Sequence, residues 1–135
     1  MKTLLSSLLL TSLLSAYELE VNITDILNEK GEVFVGLYNK SESFSVVEKT
    51  YKQKQLKASK EKIACTFKNL NDGVYAVAIF HDENSNKELD KNFLGMPTEG
   101  YAFSNNVRPT FRGANFEESQ VNLKSDKSIV IKMAY

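Results

Sequence analysis

Leu19, Val21 and Ile23 alternate with Glu18, Glu20 and Asn22, the period-two pattern of a strand with one buried face and one wet face. The polar, glycine-terminated stretch Leu27-Asn28-Glu29-Lys30-Gly31 reads as a turn, and Val33 to Tyr38 reads as a second, more apolar strand. These two are expected to form a hairpin. Asn39 to Val47 has no clear period and is expected to be a loop with one helical turn, from which Phe44 plugs the interior. Tyr51 to Ala58 alternates weakly, as an exposed edge strand does, whereas Ile63, Cys65 and Phe67 mark a core strand.

The turn Asn69-Leu70-Asn71-Asp72-Gly73 precedes Val74 to Phe80, the most apolar run after the N-terminal region and the candidate central strand, buried on both faces. From His81 to Asn115 no strand-like run occurs. The composition there, rich in Asn, Asp, Gly and aromatic residues, is that of a packed functional loop. Two further alternating strands, Phe116 to Leu123 and Ser128 to Met133, flank the turn Lys124-Ser125-Asp126-Lys127. About seven short strands and no amphipathic helix predict an all-β fold, a single β-sandwich with one long loop after the central strand.

The N-terminal region changes the picture. Leu4 to Ala16 is apolar, follows Lys2 and ends in small residues, so residues 1–16 read as a secretory signal peptide and residues 17–135 as the domain. The segment is too short for a membrane span, which takes about 20 apolar residues, and no span is expected in the mature chain. A periplasmic or secreted location follows. Seventeen basic residues balance seventeen acidic ones, and removing Lys2 leaves sixteen against seventeen. The densest basic stretch, Tyr51 to Lys62, carries one aromatic residue and reads as a solvated edge, so nucleic acid is not an expected partner. Cys65 is the single cysteine, which excludes an internal disulfide and suits a small buried hydrophobe.

Candidate chemistry concentrates after the central strand. Asp82, Asn84, Asn86 and Asp90 place oxygen-bearing side chains so that a tight loop could converge them on a hard cation such as Ca²⁺. The spacing resembles an EF-hand calcium loop. Lys87, however, stands at the sharp-turn glycine and Phe93 at the closing glutamate. The alternative is a metal-free loop in which Asp and Asn side chains cap nearby backbone amides. His81, the sole histidine, adjoins Asp82, and Ser85, Tyr101 and Ser104 lie within reach in sequence. A hydrogen-bonded structural histidine at a strand end is the commoner use of such a residue. With Cys65 alone it cannot complete a zinc site. Farther on, Phe93 to Asn106 sets large apolar residues among glycines and amides. Gly95 and Gly100 are expected at positive φ, and His81, Tyr101, Phe103, Asn105 and Asn106 form a candidate ligand surface.

The run from Gly73 to Asn84, continued by Leu89-Asp90, Asn92 to Pro97, Glu99-Gly100-Tyr101 and Phe103 to Asn106, resembles the hallmark of the DUF2141 family of small exported bacterial proteins. The resemblance implies a signal peptide, a periplasmic or secreted location and an immunoglobulin-like or transthyretin-like sandwich, with no established activity. Members typically read Asn-Gly-Asn-Gly where this chain has Asn84-Ser85-Asn86-Lys87, which weakens the expectation of metal here. Three functions are open at this point. The first is a non-enzymatic domain whose loop 82–106, braced by its own side chains or by Ca²⁺, meets a protein, peptide or glycan partner. The second is an envelope assembly module using an edge such as Tyr51 to Ala58. The third is a hydrolase using His81 with Asp82 or Glu99.

Overall fold

The computed structural model describes residues 16–135, so the signal-peptide expectation falls, except for Ala16, outside the described residues. The fold is an all-β sandwich of eight strands: β1 (Tyr17–Thr24), β2 (Glu32–Tyr38), β3 (Lys52–Lys57), β4 (Ile63–Leu70), β5 (Gly73–Asp82), β6 (Tyr101–Phe103), β7 (Gln120–Leu123) and β8 (Lys127–Lys132). One sheet has the order β4-β1-β8; the other has the order β3-β2-β5-β6, with β7 also paired to β5. Among the described residues the strands and both hydrophobic clusters lie within 17–135. Among the described residues no helix is long and apolar enough to cross a membrane.

Alternation decides which side chains fill the interior. Leu19, Val21 and Ile23 of β1 meet Val33, Val35 and Leu37 of β2 and Val77 and Ile79 of β5 in one buried cluster. Cys65 and Phe67 of β4 point the same way. A strict period of two would next send Asn69 inward, but the β1–β4 register shifts there and Asn69 takes φ +57°, so Leu70 is buried instead.

The expected hairpin between the first two strands does not form. β1 pairs with β4 and β8, whereas β2 pairs with β3 and β5 in the opposite sheet. The connection holds Asp25 and Gly31 at φ +61° and buries Ile26, which makes it an arch over the core; the tight two-residue turn that pins a hairpin is absent. Two more expectations shift. The expected strand from Phe116 begins only at Gln120, and the stretch expected to hold no strand contains β6, paired with β5 through Tyr101–Phe80 and Phe103–Ala78.

Phe44 is buried, but outside the sandwich. It joins Tyr38, Phe103 and Phe116 in a second cluster on the outer face of the five-stranded sheet, with ring centroids 5.4 to 5.9 Å apart. This small core covers one half of that face. The other half bears on function.

Candidate binding site

Along β2 and β5 the residues out of phase with the sandwich core face outward. Phe34 and Phe80 are cross-strand partners there, their rings stacked at 5.0 Å, and Tyr101 of β6 continues the row beside Phe80. Ala78 lies one pair farther along the same face. Together these residues floor a cleft of about 240 Å³, and residues 89–97 and 109–113 wall it. A second recess of about 320 Å³ adjoins it across Phe34 and Phe80 and is lined by Gln53, Gln55, Glu32 and Asp82.

The first wall is a small closed loop. A bridge joins Lys91 to Pro97, the Thr98 amide donates to the Asp90 carbonyl at 2.8 Å, and the Asn92 amide donates to the Met96 carbonyl at 2.8 Å. The Asn92 side-chain oxygen accepts from the Leu94 and Met96 amides, each at 3.0 Å, and Gly95 supplies φ +78°. The loop thereby holds its apolar tip in water: Phe93 is 96% exposed and Leu94 72%. Phe111, on the opposite wall, is 95% exposed.

Beside the cleft, the four residues expected to gather around a cation do come together. Both oxygens of Asp82 accept backbone amides, from Asn86 at 3.1 Å and Lys87 at 2.8 Å. The side-chain amides of Asn84 and Asn86 donate to the two oxygens of Asp90 at 2.5 and 2.6 Å. Ser85 and Lys87 take positive φ to close the loop, so Lys87 performs the turn expected of glycine. Among the described residues no group of three or more His, Cys, Asp or Glu side chains is placed to hold a metal ion.

Glu99, which sequence reasoning named only in passing, completes the cluster. It is buried, it accepts the Glu83 amide at 3.3 Å, and it shares a hydrogen bond with Asp90. Burial, then the hydrogen bond and charge of Asp90, push its carboxyl up to about 7, while that same bond helps hold Asp90 below the usual carboxylate range. Below about pH 7 Glu99 is the protonated partner of the pair and Asp90 the acceptor.

Of the expected ligand surface, Tyr101, which is half-buried, and Phe103 line the cleft. His81 is fully buried, with Nε2 2.6 Å from the Lys30 carbonyl and Nδ1 2.7 Å from the Tyr135 hydroxyl. Neither ring nitrogen is left for a substrate proton. Phe103 is buried in the outer cluster. Asn105 and Asn106 are exposed, yet their amides are spent on the backbone: Asn105 donates to the Glu118 and Gln120 carbonyls, and Asn106 donates to Val130 and accepts from the Lys132 amide. Ser104 is also fully buried, its hydroxyl accepting from the Val77 amide and donating to the Ser119 carbonyl. Gly100 is not among the positive-φ residues; it is glycine because the Tyr135 ring lies where a Cβ would stand.

Apart from Tyr101, the cleft floor was not anticipated. Its one signal lay in the double-sided hydrophobicity of β5, since an apolar outer row such as Ala78 and Phe80 requires something to cover it.

Comparison with curated proteins and with solved structures returned no match for this chain. The family comparison was positive, and its match runs across nearly the whole sandwich, from the middle of β1 through the cleft loops to β8. With residues 21–131 matched, the chain belongs to the family described as "Uncharacterized protein conserved in bacteria (DUF2141)".

Proposed function

We propose that this protein is an exported, non-enzymatic binding domain of the periplasm or extracellular space, and that the cleft on the outer face of its five-stranded sheet takes an apolar group of a protein or peptide partner. The observation that carries the reading is the cleft itself: about 240 Å³, floored by Phe34, Ala78, Phe80 and Tyr101, and open between two ordered loops. Concave, mostly apolar sites on a rigid sheet are where small ligands and side chains bind. The export half of the proposal is supported by the apolar N-terminal segment Leu4 to Ala16 behind Lys2.

An edge-strand assembly role has weaker support. β3 lies at a sheet edge but carries Lys52, Lys54 and Lys57 beside Gln53 and Gln55, a composition that discourages strand addition.

The test is titration of the domain with an environment-sensitive apolar dye. Uptake should saturate at one site, and Ala78→Leu, which fills the floor, should weaken it by about ten-fold or more. Absence of saturable uptake, or uptake indifferent to Ala78→Leu, removes the reading.

Calcium belongs to this proposal as a second form of the Asp82–Asp90 loop. The observation in its favour is the hydrogen bonding that draws Asp82 and Asp90 to Asn84 and Asn86. To receive an ion, Asn84 and Asn86 must turn oxygens toward it in place of the amide groups they now give to Asp90. A melt in millimolar Ca²⁺ against chelator separates the two forms. Binding at one hundred times the dissociation constant adds about 2.7 kcal/mol, several degrees for a domain of this size. That rise should vanish in Asp82→Ala/Asp90→Ala, and no shift at saturating Ca²⁺ leaves the loop closed by its own side chains.

A further inference from the structure

The turn Ser104-Asn105-Asn106 leads away from the cleft, yet all three of its side chains are committed to the backbone of distant segments. Ser104 bonds the Val77 amide of β5 and the Ser119 carbonyl, and Asn105 donates to the Glu118 and Gln120 carbonyls at the approach to β7. Asn106 reaches β8, which belongs to the other sheet. Both asparagines hold positive φ, +63° and +53°, a conformation that Asn tolerates better than most residues.

β8 is an outer strand of the three-stranded sheet, so β1 covers only one of its sides. Successive residues of a strand turn their N–H and C=O groups to opposite sides. The Met133 amide, just after β8, donates to the Thr24 carbonyl of β1, so the odd-numbered positions face β1 and Ser128, Val130 and Lys132 face away. A row of such groups is a template for another strand. Here most of it is occupied. The Asn106 side-chain amide donates to the Val130 carbonyl at 3.2 Å, and its oxygen accepts from the Lys132 amide at 2.8 Å. Arg108 donates to the Lys132 carbonyl at 2.8 Å. A carboxamide offers N–H and C=O as a peptide group does, so Asn106 makes the two bonds that one residue of a parallel neighbouring strand would make. On the opposite outer strand, β4, the Lys52 ammonium donates to the Lys68 carbonyl at 2.6 Å.

Without this cover the β8 edge suits a second copy of the chain. Two β8 strands can pair antiparallel through their outward positions with Val130 at the centre; Ser128 then opposes Lys132, and no two lysines oppose each other. Val130, whose side chain is 52% exposed, would meet its own counterpart. We propose that Asn106 and Arg108 stand in for a missing strand along β8 and keep this domain monomeric by denying that edge to a second copy. The role concerns assembly and is independent of what the cleft binds.

The test is sedimentation velocity of residues 17–135 over a concentration series, with hydrogen exchange read at single amides. The wild type should remain monomeric, with its Lys132 amide protected. In dilute Asn106→Ala/Arg108→Ala the Lys132 amide should exchange about ten-fold faster or more, while the Met133 amide stays protected and reports an intact sheet. Both substituted residues are exposed, so the variant should fold. At higher concentration it should dimerise. Adding Val130→Pro should abolish the dimer, since the Val130 amide faces away from β1 and its loss spares the ladder. A double variant that stays monomeric overturns the proposal, and so does a wild-type dimer that Val130→Pro dissolves. A Lys132 amide that exchanges freely in the wild type overturns it without any variant.

Discussion

The Tyr135 hydroxyl lies 2.7 Å from Nδ1 of His81 and ties the segment after β8 to the end of β5, beneath the loop that forms the cleft wall. The Lys30 carbonyl, 2.6 Å from Nε2, can only accept, so Nε2 carries a hydrogen; in the neutral ring the Tyr135 hydroxyl donates to Nδ1. Three chain segments meet on one imidazole. The Ala134 carbonyl accepts from the Tyr101 amide and the Tyr101 carbonyl accepts from Ala134, so the same segment also fixes β6. His81 thus supports the cleft from behind without entering it.

Tyr135→Phe removes the hydroxyl and leaves a ring nitrogen of a fully buried histidine without its partner. The expected cost is about 1–3 kcal/mol, the penalty of an unsatisfied buried polar group, read as a lower midpoint in chemical unfolding. An unchanged midpoint would mean that water replaces the hydroxyl and the tie is dispensable.

Gly31 sits at φ +61°, and a Cβ on it would run into the Asp82 carbonyl. That contact joins the β1–β2 arch to the end of β5, where the Asp82 loop begins. Gly31→Ala should therefore destabilise by more than about 2 kcal/mol, combining left-handed backbone strain with a clash that neither backbone can relieve cheaply. Chemical shifts in the mutant should change most at Asp82 to Lys87.

Glu99 makes stability depend on pH in an unusual direction. Its folded value is raised from 4.5 to about 7, so between these limits the folded state binds more protons than the unfolded chain. The stability this contributes is complete below the unfolded value and is lost as pH rises through about 7. The melting temperature should consequently fall as pH rises from about 5 to about 8. Glu99→Gln imitates the protonated group, keeps a donor for Asp90 and should flatten that slope. A slope identical in Glu99→Gln would assign the effect to other groups.

Cys65 faces the core between the sheets, and burial pushes its thiol up to about 11. It should react negligibly with a disulfide reagent at about pH 8 in the folded protein and at the rate of an ordinary thiol in denaturant. Because exchange requires opening of β4, the slow reaction in native buffer reports that opening directly. Rapid native labelling would contradict the core placement.

Much of the fold was legible, and the physical reason is the period of two. Leu19-Val21-Ile23, Val33-Val35-Leu37 and Cys65-Phe67 each named their buried face because only one face of each meets the other sheet. Alternation carries no information about which sheet a strand joins, so the β1–β2 hairpin was expected where an arch exists. β6, only three residues long, offers too few positions for a period to show. The Asp82–Asp90 cluster was legible because Asp and Asn bond their near neighbours, a local matter. The burial of individual aromatics was not: whether Phe103 or Phe111 ends in water depends on Phe44 and Phe116 arriving from distant segments to cover the first and not the second. Asn105 and Asn106 likewise read as contact residues because their backbone partners, from Glu118 to Lys132, lie far along the chain.

The most direct measurement of the central claim is amide chemical-shift mapping of residues 17–135 during titration with an apolar probe. The account predicts saturable shifts at Phe34, Ala78, Phe80 and Tyr101 and along both cleft walls, suppressed in Ala78→Leu, with the three-stranded sheet unmoved. Shifts scattered over both sheets, or confined to the β3 edge, would contradict it.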